Sequence, residues 1–575
     1  MQQLEKILKE TLKKHKELFQ DENFVNTQEF AQMIDEMKIT LPNIGSRNKI
    51  DCHYCSNILF RLRRFLAAGF EEKLSAALKN SRTENNQQMI VDIQFINGYI
   101  NMKVSASVFA TITRDILNKD IFPTLGLDES GKKRKVNVEY CSINPTGFLH
   151  IGHARNAILG DSIARILDKA NFDVTKEYYV NDAGNQIALL AQSVQARFFE
   201  SINKADKHPF PEGGYIGSEI KDIAKLVNEE NTLEEIGAIA VNYFLNEIKK
   251  DLSDLKIHHD VWSHEKDIIK SNYIEKAIDV LTKKEYIYSG TRDSKKAAKG
   301  KERHEELLLL KTTTFGDDED RPLKKPDGEW TYLAPDIGYH LNKIERGFNY
   351  LICVLGADHD SYARRIKIAV KLLKEDIEHR TPIVQMVSFE HDGKHVKFSK
   401  RAGNSIRTHD FIQQIHPDIL RFMMLAKTPG TPFVFDYESA CTISMKNPVF
   451  YIQYAHARGH SIFRNTQSKA CLHMDAFTFE IEEFQELLML LSSFKNVLND
   501  AASQLAPHTI ANYAQRVAEA MHKLWQVGKI DSSKRVIVEG NDKETETRLA
   551  ITQAFLIVLG TCLEILAINA PESMN

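Results

Sequence analysis

The sequence predicts a multidomain chain of α/β plus all-α class, and three observations carry that prediction. A strand, a glycine-containing turn and a helical pattern follow one another over residues 136–170, as at the start of a parallel α/β unit. Alternating apolar residues on either side of Asn97-Gly98 mark paired strands in a small mixed domain before it. From about residue 445 one helical pattern follows another, as in a helical bundle. With 575 residues, 43% of them hydrophobic, the chain has material for several buried cores.

Residues 1–20 read as a surface helix, with Leu4, Leu8 and Leu12 on one face. Val91, Ile93 and Phe95 alternate, and Ile100, Met102 and Val104 resume the alternation beyond the Asn97-Gly98 turn. Leu125 to Lys135, with two glycines and a KKRK run, reads as a linker. Val136 to Tyr140 is extended, Asn144-Pro145-Thr146-Gly147 breaks it, and Leu159, Ile163, Ile166 and Ala170 share a helical face. Gly347 to Gly356 encloses a second short apolar strand, Leu351 to Leu355. The roughly 150 residues between hold insertions, including the charged, solvent-facing stretch 295–303. In the last part Phe484, Leu487, Leu491, Phe494 and Leu498 fall at helical spacing, as do Tyr513, Val517, Ala520 and Leu524. A final helix is expected from about 544 to 567, and domain boundaries at 1–122, 123–444 and 445–575.

Composition narrows the function classes. The 75 basic and 78 acidic residues nearly balance, so nucleic-acid binding would need a local basic surface. Seven cysteines, an odd and sparse set, suggest free thiols in a reducing compartment. Cys52 and Cys55 form one CxxC, but no second pair accompanies it, so no metal residues are assigned. The N-terminus lacks the apolar core and cleavage signal of a secretory leader. Residues 549–569 are apolar, but Thr552, Gln553, Thr561 and Glu564 interrupt them, so no run is expected to approach a membrane span. The expected location is the cytosol.

Two motifs carry chemistry. The first is His150-Ile151-Gly152-His153, at the strand-to-helix turn. Two imidazoles there, with the N–H groups and dipole of a helix N-terminus, can hold the phosphates of ATP while a carboxylate attacks the α-phosphorus. Gly152 would let an adenine ring approach the backbone. The second is Lys397-Phe398-Ser399-Lys400-Arg401, followed by Ala402-Gly403-Asn404. Lysines on a glycine-flanked loop can close over the β- and γ-phosphates and stabilise departing pyrophosphate. The plain alternatives are structural histidines and a solvated basic run. Tyr332 and Asp336 are four apart and share a face if helical, although Pro335 between them can make a turn instead. The acidic run Asp317 to Asp320 hints at magnesium, but reads as a solvated loop.

The phrases NPTGFLHIGHARNAILGD and YYVNDAGNQI, with the lysine loop behind them, closely resemble the arginyl-tRNA synthetase family of class I aminoacyl-tRNA synthetases. The resemblance covers most of the chain. It implies a Rossmann-like catalytic domain with insertions, an N-terminal domain reading the tRNA elbow and a helical anticodon-binding domain. It also implies ATP as cosubstrate, magnesium with its phosphates, L-arginine and arginine tRNA as partners, and a cytoplasmic monomer without a membrane. His150, Gly152, His153, Lys397, Ser399 and Lys400 match the family's ATP-binding and catalytic positions. Tyr332, Asp336 and Glu265 match its guanidinium ligands, and Ser142, Asn144 and His153 lie at its positions around the α-amino and carboxylate groups. Asp358 matches a position near the substrate amine or the ATP ribose. Tyr451 to Arg458 resemble the opening of the anticodon domain, with Tyr454 and Arg458 as candidates for RNA contact or its support, Lys446 for phosphate, and Met574 near the anticodon loop. His53 to Asn57 and Asn97 to Asn101 resemble the elbow-binding domain, though NILFRLRRFLAAG is more basic and bulkier than that pattern. The family's chemistry is formation of arginyl-adenylate, then transfer to the 2′-hydroxyl of the terminal adenosine, with tRNA required before activation.

Three other readings share part of these features. A synthetase for lysine, cysteine or glutamate would share both motifs but not YYVNDAGNQI. A catalytically silent RNA-binding protein would be expected to lose the histidines or the lysine loop. A small-molecule nucleotidyltransferase has no need of the helical C-terminal domain.

Overall fold

The structure, a computed structural model, describes residues 1–42, 52–82, 88–291, 306–391, 394–396, 407–442, 444–473, 477 and 481–574. The chain begins with α1 (Gln2–Lys14), whose Leu4, Leu8 and Leu12 are fully buried. A three-stranded antiparallel sheet follows, from β1 (Tyr54–Ser56), β2 (Ile90–Ile96) and β3 (Tyr99–Val104) in the order β1-β3-β2. Asn97 and Gly98 both take positive φ, the conformation a tight hairpin turn demands. The expected alternation fails at Val91. A bulge between Ile90 and Asp92 turns Val91 out to solvent and leaves Ile90 and Ile93 facing the core. Helix α2 (Ala106–Leu117) closes the domain.

The segment expected as a linker is pinned rather than free. Leu127 bridges Lys133, and Gly126 packs so closely on the backbone of Asn171 and Phe172 that a Cβ would sit 2.3 Å from it.

The central sheet contains β4 (Lys135–Glu139), β5 (Asp173–Val180), β6 (Val261–His264), β7 (Tyr350–Cys353) and β8 (Glu378–Arg380), all parallel. Their spatial order is β8-β7-β4-β5-β6. This is the doubly wound order, and it reverses between β4 and β7. Ligands of such sheets bind in the crevice beyond the strand C-termini at that reversal. Helix α3 (Ile151–Lys169) crosses from β4 to β5. It lies against the sheet at Gly160, where a Cβ would meet the Tyr140 side chain at 2.2 Å. The insertion between β5 and β6 folds around α4 (Asn185–Ser201) and α5 (Leu233–Asp254) with an apolar core of its own. Beyond β6 come α6 (Glu265–Lys270), α7 (Tyr273–Lys283), α8 (Leu333–Glu345) and, after β7, α9 (Asp360–Leu373). A second separate core fills the space among α7, α8 and α9. The charged stretch 295–303 lies outside the described residues.

After α10 (Pro417–Leu425) the bundle consists of α11 (Pro448–Arg464), α12 (Glu482–Gln504), α13 (Pro507–Ile530) and α14 (Asp542–Leu566). Contrary to the sequence expectation, α14 is long and apolar enough by composition to cross a membrane. In the structure it is the bundle's central helix, with 78% of its most apolar window buried. It packs on α11, α12 and α13, on α2 of the first domain and on α3 of the second. One apolar core therefore runs through all three parts of the chain.

Candidate active site

The crevice is assembled at the C-terminal ends of β4, β5, β6 and β7. At the reversal point, two residues beyond the end of β4, Cys141 is held at φ 70°. Asn156 on α3 accepts the Cys141 N–H at 2.8 Å and donates to the Val354 carbonyl beyond β7 at 3.0 Å. One amide side chain thus joins two strand ends to the helix that starts between them.

His150 is the N-cap of α3, and His153 is its third residue. Each accepts the other's backbone N–H on Nδ1, at 3.4 Å, and the rings stack with centroids 3.4 Å apart. An Nδ1 that accepts leaves the ring proton on Nε2 of the neutral imidazole, so both rings keep an N–H donor. Gly152 makes room for this arrangement, since a Cβ there would lie 3.2 Å from the His150 ring.

Lys397, Ser399 and Lys400 lie outside the described residues. Both stems of their loop are described. Residues 394–396 pair antiparallel with 389–391 on the entry side. On the exit side Arg407 bridges His150, Thr408 donates to the Leu149 carbonyl at 2.8 Å, and the Arg407 guanidinium stacks 3.5 Å from the Phe148 ring.

Acidic residues gather at the C-terminal ends of the strands, where Glu139 closes β4, Asp182 follows β5 and Glu265 follows β6. Glu265 opens α6 and Asp336 sits in the first turn of α8. Burial pushes the Asp336 carboxyl up to about 7, against a hydrogen bond from Tyr362, and Glu139 and Glu265 add to the rise. Burial, then Asp182, raises Glu265 as well. Asp182 is itself engaged by His264 at 2.8 Å and by the Lys266 N–H at 3.1 Å. A buried charge network adjoins them. Lys343 donates to Glu139 at 2.6 Å, while Arg346, Asn137, Ser263 and Tyr339 converge on Glu177. Burial alone would raise Glu177, but Arg346, Lys343 and Ser263 outweigh it and bring the carboxyl down to about 2.

The expected residues fare differently. His150, Gly152 and His153 open α3 beyond the C-terminal end of β4, Glu265 opens α6 beyond that of β6, and Asp336 in α8 stands near enough to Glu265 for that carboxylate to add to its rise. Ser142 is drawn beneath it, donating to Glu139 and accepting the Tyr179 N–H, both at 3.0 Å. Asn144 is exposed and donates to Gln186 at 2.8 Å. Tyr332 is not gathered to Asp336: it is 88% exposed, and Tyr362 from α9 takes the carboxylate instead. Asp358 also points to solvent, paired with His359 at 3.5 Å. The acidic run is not a plain solvated loop. Asp317 grips Arg321 with both oxygens, at 2.7 and 2.8 Å, and Asp318 and Glu319 join it. Sequence reasoning missed Asn156, Tyr362 and the Glu139–Lys343 and Glu177–Arg346 pairs. Asn156 and Glu177 stand within the quoted phrases or beside them, but their partners lie far along the chain.

At the bundle, Tyr454 is exposed. Arg458 is held inward, over Tyr454 at 4.6 Å and Trp525 at 4.9 Å, and donates to His522 at 2.6 Å. The C-terminal tail, which includes half-buried Met574, is fastened along α11 by His456 to the Pro571 carbonyl and Arg464 to the Glu572 carbonyl. His53 to Ser56 are buried and serve packing, and Tyr54 donates to Ser492 of α12 at 2.7 Å. Among the described residues one metal-ligand group not foreseen in the sequence, Cys471, His473 and Glu546, brings donor atoms within 4.8 Å of one another. His473 and Glu546 are already an ion pair there.

A doubly wound sheet with paired histidines at the reversal point, Arg407 bridged to the first of them and a helical bundle behind defines the class: a class I aminoacyl-tRNA synthetase. Comparison with known proteins gives the family. Residues 116–423 match the model of the class I (R) tRNA synthetase catalytic domain, and residues 452–574 that of the DALR anticodon binding domain. The chain is 35% identical over 547 residues to the arginine–tRNA ligase of Geobacillus kaustophilus (strain HTA426), covering 92% of this chain and 93% of that one. It is 39% identical over 516 residues to that of Anaplasma phagocytophilum (strain HZ), covering 85% and 87%. The solved Thermus thermophilus arginyl-tRNA synthetase shares the fold at a TM-score of 0.69, with 20% identity, over 96% of this chain and 100% of that one. The chain belongs to the arginyl-tRNA synthetase family.

Proposed function

We propose that the crevice performs both half-reactions of that family with the residues assembled above. The enzyme activates L-arginine with ATP and transfers it to arginine tRNA. In the first step a carboxylate oxygen of arginine bonds to the α-phosphorus, and the bond to the β-phosphate oxygen breaks, giving arginyl-adenylate and pyrophosphate. In the second the 2′-hydroxyl of the terminal adenosine attacks the activated carbonyl and AMP leaves. The adenylate is a reactive mixed anhydride, so no protein nucleophile is needed.

The bridge between His150 and Arg407 carries this reading, because it brings a residue close behind the second motif in sequence alongside the first motif. His150 and His153 donate from Nε2 to phosphate oxygens, aided by the N-terminus of α3. Lys397, Ser399 and Lys400 close over the β- and γ-phosphates. Glu265 and Asp336 take the guanidinium, whose charge offsets their burial. Ser142 and Asn144 serve the α-amino and carboxylate end with His153. Tyr332 and Asp358, exposed as they stand, would reach substrate only by turning inward. Magnesium neutralises phosphate charge when bound with ATP. The acidic run 317–320 does not suit it, since Arg321 already occupies those carboxylates.

At the RNA end Tyr454 offers a face for an unstacked base, Arg458 stiffens it, Lys446 meets phosphate and Met574 lies near the anticodon loop. Phe60 and Tyr99, exposed edge to face at 5.3 Å beside exposed Arg61, Arg63 and Arg64, suit the elbow. The protein works as a cytoplasmic monomer away from membranes. Charging of arginine tRNA with labelled arginine tests this. Glu265→Gln should raise KM for arginine about tenfold or more while leaving KM for ATP unchanged. Equal loss for both substrates would remove Glu265 from the guanidinium.

A further inference from the structure

Tyr179 is the next-to-last residue of β5, at the rim of the crevice. Its ring is 5% exposed, packs on Tyr339 of α8 with centroids 4.3 Å apart, and shares a small apolar cluster with Ile268 of α6. Its hydroxyl is fully buried, and no described residue hydrogen-bonds to it. The two adjoining phenols are satisfied, Tyr178 donating to the Ile143 carbonyl at 2.9 Å and Tyr339 to Glu177 at 2.8 Å, while the buried Tyr140 hydroxyl beyond β4 shares the condition of Tyr179. A buried hydroxyl without a partner costs stability, and a functional role or a group from outside the chain that completes it is among the reasons such a group is kept.

The ring's neighbours say which ligand. Ile268 follows Glu265 by three residues on α6, and Tyr339 follows Asp336 by three on α8. Residues three apart share a helix face, so the two carboxylates stand one turn beyond the pair that flanks Tyr179. Burial raises the carboxyls of both Glu265 and Asp336, and those same two groups add to the rise of the buried Tyr179 phenol, which places all three in one pocket. Tyr332 is turned to solvent, and the Tyr362 hydroxyl is already given to Asp336.

We propose that the Tyr179 hydroxyl is a specificity-determining group of the arginine pocket, accepting a guanidinium N–H between the carboxylates of Glu265 and Asp336. The inference rests on reading the crevice as an arginine pocket. The carboxylates take the charge, and the phenol oxygen supplies a further, neutral acceptor for the planar five-donor fork. A lysine ammonium, a compact point charge, cannot present donors to all three groups in one plane.

Tyr179→Phe keeps the ring and removes the hydroxyl. Arginine-dependent charging, inhibition by agmatine, which carries the guanidinium without the carboxylate, and thermal unfolding are measured on wild type and variant. KM for arginine and Ki for agmatine should rise together by about tenfold or more, with kcat and KM for ATP within about twofold. The unfolding midpoint should stay level or rise, because an unpartnered hydroxyl cannot hold the fold. An unchanged KM, a KM that rises while agmatine inhibition does not, or an unstable variant would each overturn the proposal. Wild type that uses no arginine would take down the pocket reading and this one together. Wild type that uses arginine, with Tyr179→Phe unaltered, would take down only this one.

Discussion

Asp336 is held up to about 7 chiefly by burial, despite the hydroxyl of Tyr362 and the nearby Lys343. A guanidinium binds the ionised form, so below that pH a proton must leave before arginine can enter. KM for arginine should therefore fall as pH rises from about 6 to 8, and Asp336→Asn should bind weakly with no such dependence. Steady-state charging across that range checks this, and a flat wild-type profile would contradict it. The same carboxyl also affects stability. Its raised value means the folded state holds a proton the unfolded chain has lost, so folding loses stability as pH climbs from about 4 towards 7. Glu177 has the opposite sign: its contribution is present above the ordinary glutamate range and disappears as pH falls towards 2. At this scale the sequence was informative about placement, as with His150 and His153, which stand at the strand-to-helix turn where the spacing put them. It misled at Tyr332. Four-residue spacing places two side chains on one helix face, but α8 begins only at Leu333, and Tyr362, from a helix 26 residues further on, covers Asp336 first.

Helix α3 shows how much an element can reveal by itself. Its apolar face and its start after the NPTG turn were legible, because each depends on neighbours in sequence, whereas the His150 cap emerged only from the structure. The role of Gly160 was not legible either, because it depends on Tyr140 twenty residues away and across the sheet. Gly160→Ala would normally favour a helix by about 1 kcal/mol. Here the added methyl meets Tyr140 at 2.2 Å, close to its backbone. Net destabilisation of about 1–3 kcal/mol is expected, read as a lower denaturant midpoint. A stabilised variant would show that helix and strand are not in the contact described. The bulge at Val91 escaped for a similar reason: strict alternation assumes an unbroken ladder, and register slips are set by the partner strand.

Across the whole molecule the three parts were legible as separate patterns, but their joints were not. Arg421 is fully buried where α10, α3 and the end of α14 meet. It donates to Asp161 on α3 at 2.6 Å, to the Leu566 carbonyl of α14 at 2.6 Å and to the Leu255 carbonyl at 2.9 Å. Asp418, one turn earlier, takes Lys256 at 2.6 Å and Gln453 of the bundle at 3.0 Å. These ties connect the helix that begins at His150 and His153 to the bundle that matches the anticodon binding domain. Arg421→Met leaves Asp161 with Arg165 alone and two carbonyls unpaired, which should cost about 3 kcal/mol or more. Thermal unfolding that drops by less than about 1 °C would contradict such a joint.

The most direct test of the account is pyrophosphate exchange into ATP, run with each amino acid in turn, with and without arginine tRNA. Exchange driven by arginine alone among the amino acids, and appearing only with the tRNA, is the expected result. Exchange driven by another amino acid, or none at all from folded protein, would contradict it.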